Sequence, residues 1–400
     1  MFLNLFTSSF NMKTPKNKLH SLLLILPPLI LTTLLVALVG IVDPWQIFHE
    51  QTTPFTTRYW DNQRYTNAGI INTSLAKDEG KTIIWLGTSM TENFITTEVA
   101  ELLGYDKAVR LCISGGSPYE QYAVFDHALK TGRIDTVLWE VGNFIDGNEK
   151  RWRDDYKFPA YLYTDSFKDK LTYLTNLKAA EQSVNLLFGQ GKWEVDIDKT
   201  SFWMDEHCKR GSFAGFLKQV NFDLRTPKLN TQIEADFPLL AEMKEYIRAH
   251  KEISFVLFLP PYSMYYRQVN ADQTGRYLAY IRKLVSLAEQ ETNVSLYGFD
   301  ILPEITGNLA NYIDPTHFGL GVSRFILKSI NSGLFKLSKE NVEGYIRVLT
   351  EQIQNYAPNA NTNNTIAFEG PVNEKAFTAY PPPHGPVNYS PEEAARRTRM

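Results

Sequence analysis

The sequence predicts an α/β fold: a parallel five-stranded sheet with helices on both faces, a long insertion after the third strand, and one transmembrane helix ahead of it all. Three observations lead there. From Lys81 onward, short apolar runs alternate with helically spaced ones, the pattern of βα units feeding a parallel sheet. One interval, from Asn143 to Lys251, is far longer than a βα connection and requires structure of its own. Near the start, Leu19–Val42 runs without Asp, Glu, Lys or Arg.

Residues 1–18 carry Lys13, Lys16 and Lys18 and no acid, and read as a cytoplasmic tail. At roughly 1.5 Å per residue, the uncharged run at 19–42 makes about 36 Å of helix, against about 30 Å of bilayer hydrocarbon. Pro27 and Pro28 are tolerated in a membrane helix. The exit LVALVGIVDP is a poor cleavage site, so the span reads as a signal anchor rather than a removed leader. Lysines before it, with Asp43 and Glu50 after it, orient a single-pass cell-membrane protein with its N-terminus in the cytoplasm and its bulk outside. Residues 43–80 form a juxtamembrane segment in which Trp45 suits the membrane interface.

Strands are expected at 82–86, 108–113, 134–141, 253–259 and 294–299, and helices at 92–103, 119–131, 239–250, 275–290 and 319–335. Inside the insertion, taken as 144–250, residues 166–188 read as helical and 192–216 as a short strand pair or irregular cap. Its aromatic and basic side chains include Trp152, Arg153, Tyr156, Tyr161, Tyr163, Trp193, Phe202 and Trp203. They suit either a lid over a glycan groove or a small core. A helix at 336–356 closes the domain. The Asn-, Thr- and Pro-rich stretch 357–400 has no core to bury and reads as a disordered tail.

Composition removes several function classes. A formal net charge of -3 argues against nucleic acid as a partner. Cys112 and Cys208 are too few for a metal array and allow at most one disulfide, whose formation the sequence leaves open. His127, His207 and His250 lack metal spacing, and neither a phosphate loop nor a dinucleotide fingerprint is present. No cofactor and no metal are expected.

The chemistry concentrates in two places. In Lys81–Gly104 a buried strand, a Gly87 turn and a helical pattern follow one another, ending at Gly104 as a C-cap. Ser89 falls in the turn, at the carboxyl end of the strand, where open α/β sheets bind ligands. It is a candidate nucleophile. Ser89-Met90-Thr91-Glu92 also reads as a capping box. Far downstream, Tyr312–Phe318 contains Asp314-Pro315-Thr316-His317 just before the last helix of the sheet domain. His317 suits a general base and Asp314 its orienter, although Asp314 followed by Pro315 is equally a helix start. Two helix caps have no reason to supply complementary halves of one relay. Glu140, ending the third strand, either lines the site or is a buried carboxylate paired with Arg. Pro260-Pro261-Tyr262, after the fourth strand, shares that rim and either shapes the pocket or is a simple turn.

Together these residues resemble the SGNH (GDSL-like) hydrolase family over roughly 81–335. Gly87-Thr88-Ser89 is similar to its first block, Ile113-Ser114-Gly115-Gly116-Ser117 to its second and Val141-Gly142-Asn143 to its third; Asp314-Pro315-Thr316-His317 matches its Asp-x-x-His block. GTSMTEN departs from the usual GDS(L), and Phe144 stands where an Asp often follows the Asn. The G-x-S-x-G elbow of α/β-hydrolases is absent. The resemblance implies a flavodoxin-like three-layer sandwich, with Ser89 as nucleophile, His317 as base and Asp314 as orienter. It also implies Gly115 or Gly116, and Asn143, as oxyanion-hole donors.

The anchored layout resembles the types that O-acetylate or deacetylate exopolysaccharides, as in alginate acetylation, and the type that serves teichoic acid D-alanylation. That implies an extracytoplasmic serine esterase or O-acyltransferase acting on a cell-envelope polysaccharide or related glycan. The implied partners are the membrane, the surface glycan and a membrane-bound O-acyltransferase. No residue selects acetyl over another acyl group, or transfer over hydrolysis. The alternatives are a non-catalytic glycan-binding or scaffold protein on the same fold, and an unrelated anchored α/β domain.

Overall fold

The computed structural model describes residues 15–49, 63–77, 80–142, 144–146, 158–188, 229 and 235–356. A five-stranded sheet forms its centre: β1 Thr82–Leu86, β2 Lys107–Arg110, β3 Thr136–Glu140, β4 Ser254–Leu259 and β5 Val294–Gly298. The order is β2-β1-β3-β4-β5, with every neighbouring pair parallel. The direction of the strand order therefore changes between β1 and β3, whose carboxyl ends form the switch point of a doubly wound sheet.

The described helices are α1 Pro15–Val42, α2 Gln63–Ile70, α3 Thr96–Leu103, α4 Pro118–Thr131, α5 Phe167–Leu174, α6 Leu177–Leu187 and α7 Pro238–Ala249. They continue with α8 Met264–Val269, α9 Thr274–Gln290, the single turn α10 Pro303–Thr306, α11 Leu320–Asn331 and α12 Val342–Asn355. Strands β1 and β3 are buried along their whole length, as strands covered on both faces must be. Alternate side chains feed two cores. Ile84 and Leu86 pack with Phe125, Met243, Leu278 and Leu349 from α4, α7, α9 and α12. Ile83 and Trp85 pack on the opposite face with Val99, Phe325 and Ile326 from α3 and α11.

Local sequence sets the helix ends. Ser117 and Glu120 form a full capping box for α4, with Pro118 inside its first turn. Gly104 closes α3 at φ +74, a left-handed conformation that suits glycine. The helix expected at 166–188 is two helices, because Asn176 turns the chain and caps α6 through the amides of Lys178 and Ala179. The helix expected from residue 92 starts at Thr96 instead. Phe94 is buried against Phe258 with ring centroids 5.9 Å apart, and Asn93 donates to the Phe318 carbonyl, so those residues are drawn out of helical register. Pro260-Pro261-Tyr262 is a turn, the Tyr262 N–H donating to the Pro260 carbonyl at 2.9 Å, and it leads into α8.

Within α1, Leu23–Val42 is long and apolar enough to cross a membrane, and the helix continues through Pro27 and Pro28. Its end is docked on the domain. Val39 and Val42 are buried. The buried Asp43 carboxylate accepts the N–H groups of Ile47, Phe48 and His49 and the Tyr173 hydroxyl. Trp45, expected at a membrane interface, is 2 % exposed, 4.6 Å from the Tyr65 ring and 5.7 Å from that of Tyr173. Its ring is thus packed inside the protein rather than exposed.

Tyr163, considered for a lid, belongs to the main core and donates its hydroxyl to the Arg64 carbonyl. Cys112 is a free buried thiol, which burial pushes up to about 12. Asn143, Trp152, Arg153, Tyr156, Trp193, Phe202, Trp203, Cys208, the cap expected at 192–216, residues 1–14 and the tail 357–400 lie outside the described residues.

Candidate active site

Three loops meet at the switch point. The first leaves β1 through Gly87, whose φ is +157. A Cβ there would stand 2.8 Å from the Cβ of Glu140 and 2.9 Å from Thr91, so only glycine lets the chain pass between them. Next to it, the buried Glu140 carboxylate accepts the Thr88 backbone N–H at 3.1 Å, the Thr88 hydroxyl at 2.9 Å and the Gly142 N–H at 2.7 Å. Its partners are thus backbone and hydroxyl donors of two rim loops, not the Arg that the sequence suggested. Burial raises its pKa against the pull of those three bonds. Thr88 caps the short turn Ser89–Thr91.

Ser89 is therefore released from capping, and its hydroxyl points elsewhere. Its Oγ lies 2.7 Å from His317 Nε2, across 228 residues of sequence. His317 Nδ1 lies 2.6 Å from Asp314 Oδ2. With Nδ1–H donating to the carboxylate, Nε2 is left as the acceptor for the serine proton, the tautomer a general base needs.

The histidine loop is built to hold that geometry. Tyr312 and Phe318 pair antiparallel at its neck, and Asp314 Oδ1 accepts the N–H groups of Thr316 and His317, both at 2.8 Å. Asp314 thus caps its own loop; α11 begins later, after Gly319. Burial opposes the Asp314 charge, but the His317 ring, the two amides and the nearby imidazole outweigh it and hold the carboxyl at about 2. The loop is fastened to its neighbours through Asn93 to the Phe318 carbonyl, Tyr312 to the Pro261 carbonyl and Ser263 to the Pro315 carbonyl.

The second loop follows β2. Leu111 and Ile113 extend the ladder by donating to Trp85 and Gly87, which brings Ser114–Gly116 beside the serine turn. Gly116 donates its N–H to the Ile113 carbonyl at 2.8 Å. The Ser114 carbonyl accepts from Arg64. A trans peptide sets its N–H opposite its carbonyl, so the Gly115 N–H is directed away from Arg64. Gly115 itself has φ +56.

The residues that sequence reasoning missed lie on α2. Arg64, 2 % exposed, makes a two-pronged ion pair with the fully buried Glu120 at 2.5 and 2.8 Å and reaches the carbonyls of Ser114 and Gly115 at 3.3 Å. Gln63 accepts the Ser114 N–H and donates to Glu92. Asn67 donates to the carbonyls of Leu111 and Cys112. Glu92, expected to close a capping box on Ser89, turns to Gln63 instead. Burial raises its pKa, moderated by Arg110, Gln63 and the nearby His317. The only sequence trace of this brace is an unusually polar helix, QRYTNAGI, ahead of β1.

Among the described residues, no three His, Cys, Asp or Glu side chains converge as a metal site. Asn143, the third expected oxyanion donor, lies outside the described residues. No family model matches the chain, and no curated protein matches it.

Proposed function

We propose that this chain is a membrane-anchored, extracytoplasmic serine esterase or O-acyltransferase of SGNH (GDSL-like) type, acting on acyl esters of a cell-envelope polysaccharide or related glycan. The finer fold reading goes with it: a flavodoxin-like three-layer sandwich with residues 144–250 inserted after β3. One observation carries the proposal, the Ser89–His317–Asp314 chain of contacts at 2.7 and 2.6 Å.

In this reading His317 Nε2 takes the Ser89 proton as Oγ attacks an ester carbonyl. The negative charge that develops on the carbonyl oxygen is met by the Ser89 N–H, the N–H of Gly115 or Gly116 and the Asn143 side chain. Asp314 stabilises the imidazolium, which then gives its proton to the departing alkoxide. Water or a sugar hydroxyl, deprotonated in turn by His317, attacks the acyl-enzyme and frees Ser89. The apolar Leu23–Val42 span keeps the site at the membrane, within reach of a membrane-bound acyl donor such as an O-acyltransferase.

The test is labelling with a fluorophosphonate. Wild-type protein is expected to take the label, and Ser89→Ala and His317→Ala to lose it. Folded wild-type protein that stays unlabelled, or Ser89→Ala that labels equally, would sink the proposal.

A further inference from the structure

The α5–α6 hairpin turns a row of apolar side chains outward. Phe167 and Leu171 of α5, Leu177, Val184 and Leu187 of α6, and Phe188 just after it are all exposed, Phe167 at 83 %, Leu177 at 77 % and Phe188 at 75 %. Single exposed leucines are ordinary; this many on two short adjoining helices are not. Leu177, Val184 and Phe188 recur at helical spacing along one face of α6, opposite the buried Ala179, Ser183 and Leu186.

The neighbour of this hairpin is α1, which packs against both of its helices. A Cβ on Gly40 would stand 3.4 Å from Leu174 Cδ2 at the end of α5. The Asp43 carboxylate, just past the end of α1, accepts the N–H groups of Ile47, Phe48 and His49 and the hydroxyl of Tyr173, which belongs to α5. Phe48 adds its ring, 5.6 Å from that of Tyr173. The hairpin is thereby fastened to the end of the apolar helix.

Helix length then sets the level at which the hairpin stands. From residue 23 to residue 34 every α1 side chain is exposed, and packing on the domain begins at Leu35. The uncharged stretch ahead of that contact, 19–34, makes about 24 Å of helix at roughly 1.5 Å per residue, short of the about 30 Å of bilayer hydrocarbon. To cross, α1 must carry its docked turns into the apolar layer. Ile41, 68 % exposed on the outer side of those turns, suits lipid. Helices packed on the same turns reach the same level, and α5 and α6 meet it with phenylalanine and leucine.

Charge limits the depth. Glu181 is exposed on the Leu177–Val184 face of α6, and Lys168 is exposed beside Phe167. Both fit the boundary between headgroups and acyl chains, where apolar side chains enter and a charged tip reaches water. Across the hairpin Lys168, Lys170 and Lys178 balance Asp165, Asp169 and Glu181, so apolar burial rather than lipid charge provides the attraction.

We infer that the α5–α6 hairpin is a second membrane contact, lying in the headgroup–acyl boundary of the leaflet nearest the domain with Phe167, Leu177 and Phe188 in lipid. The inference rests on α1 crossing the bilayer. It makes lipid the partner of this face and fixes how the domain is turned over the membrane, which a lone anchoring helix leaves free.

The experiment uses the full chain in phosphatidylcholine nanodiscs, with Cys208→Ser so that single introduced cysteines carry a nitroxide; Cys112 is buried, out of the label's reach. Labels go to Leu29→Cys in the span, Phe167→Cys and Phe188→Cys in the hairpin, and Glu101→Cys on α3, which packs on the other face of the sheet. Collisions with oxygen, which concentrates in lipid, and with a nickel chelate, which stays in water, report depth. The oxygen-to-nickel ratio at positions 167 and 188 is expected at least about threefold above that at 101 and below that at 29, with or without phosphatidylglycerol in the disc. Hairpin labels open to the nickel chelate while Leu29→Cys is not would overturn the inference and keep the span. Labels hidden from both reagents would place protein there instead of lipid, and overturn it equally. Leu29→Cys open to the nickel chelate would remove the span and the inference together. Leu177→Cys repeats the reading from the start of α6 if either phenylalanine substitution alters the circular dichroism spectrum.

Discussion

Replacing Arg64 with methionine separates what α2 does for folding from what it does for chemistry. Arg64 is 2 % exposed and its partner Glu120 fully buried, so the substitution strands a carboxylate in the interior. Removing one member of such a pair typically costs about 3–5 kcal/mol. Glu120 keeps the Ser117 N–H at 2.7 Å as a partner, which places the expected loss near the low end, about 3 kcal/mol. Adding Glu120→Gln removes the stranded charge while retaining an oxygen to cap Ser117, and stability should return to within about 1–2 kcal/mol of wild type. Turnover should behave differently. Both variants lose the guanidinium that holds the Ser114 and Gly115 carbonyls at 3.3 Å. An oxyanion donor is worth about a hundred- to a thousandfold in rate, which sets the ceiling for misplacing Gly115 or Gly116. These bonds are long and the Gly116 to Ile113 bond remains, so about a ten- to thirtyfold loss is expected, well under that ceiling. Urea unfolding followed by circular dichroism reads the first quantity, and p-nitrophenyl acetate hydrolysis the second. A double variant that regains turnover together with stability would refute the positioning role. A single variant losing under about 1 kcal/mol would refute the buried pair itself.

Two further outcomes follow from the carboxylates. Burial raises the Glu140 pKa above 4.5, so its contribution to stability is full below the ordinary carboxylate value and declines as pH rises through the raised one. Wild type should therefore lose more stability than Glu140→Gln between about pH 4 and the raised value. At neutral pH the glutamine amide should cost about 1–3 kcal/mol by facing the Thr88 or Gly142 donors. Parallel stability–pH curves for the two proteins would refute the burial argument. Asp314 is held at about 2, below its ordinary 3.8, so its contribution is present above 3.8 and is lost as pH falls toward 2. Asp314→Asn should flatten that acid limb and lower p-nitrophenyl acetate turnover by about 10⁴-fold, the loss seen when such an orienter becomes an amide. Turnover within tenfold of wild type would remove Asp314 from the relay.

What the sequence made legible, and what it hid, divides by the range of the interaction. β1 matches its expected bounds, and Ser89, His317 and Asp314 stood out because each sits on a local signal: a strand running into a glycine turn, and an acid three residues before a histidine. Glu92 misled because its local pattern was a valid capping box; the amide of Gln63, 29 residues earlier, competes for it and wins. Arg64 gave no signal because its partners, Ser114, Gly115 and Glu120, are 50 or more residues away and nothing local distinguishes a buried arginine from a surface one. The same distance bears on where the working unit begins. A boundary at Lys81, natural from the first strand, would discard α2 and with it the Gln63 and Arg64 side chains that grip the second loop. It would also discard the Asp43 and Trp45 contacts that dock the end of the apolar helix onto Tyr173. The serine turn lies between a brace from before the sheet and a histidine loop from after it, so the site depends on the chain from Asp43 to the histidine loop, not on the sheet alone.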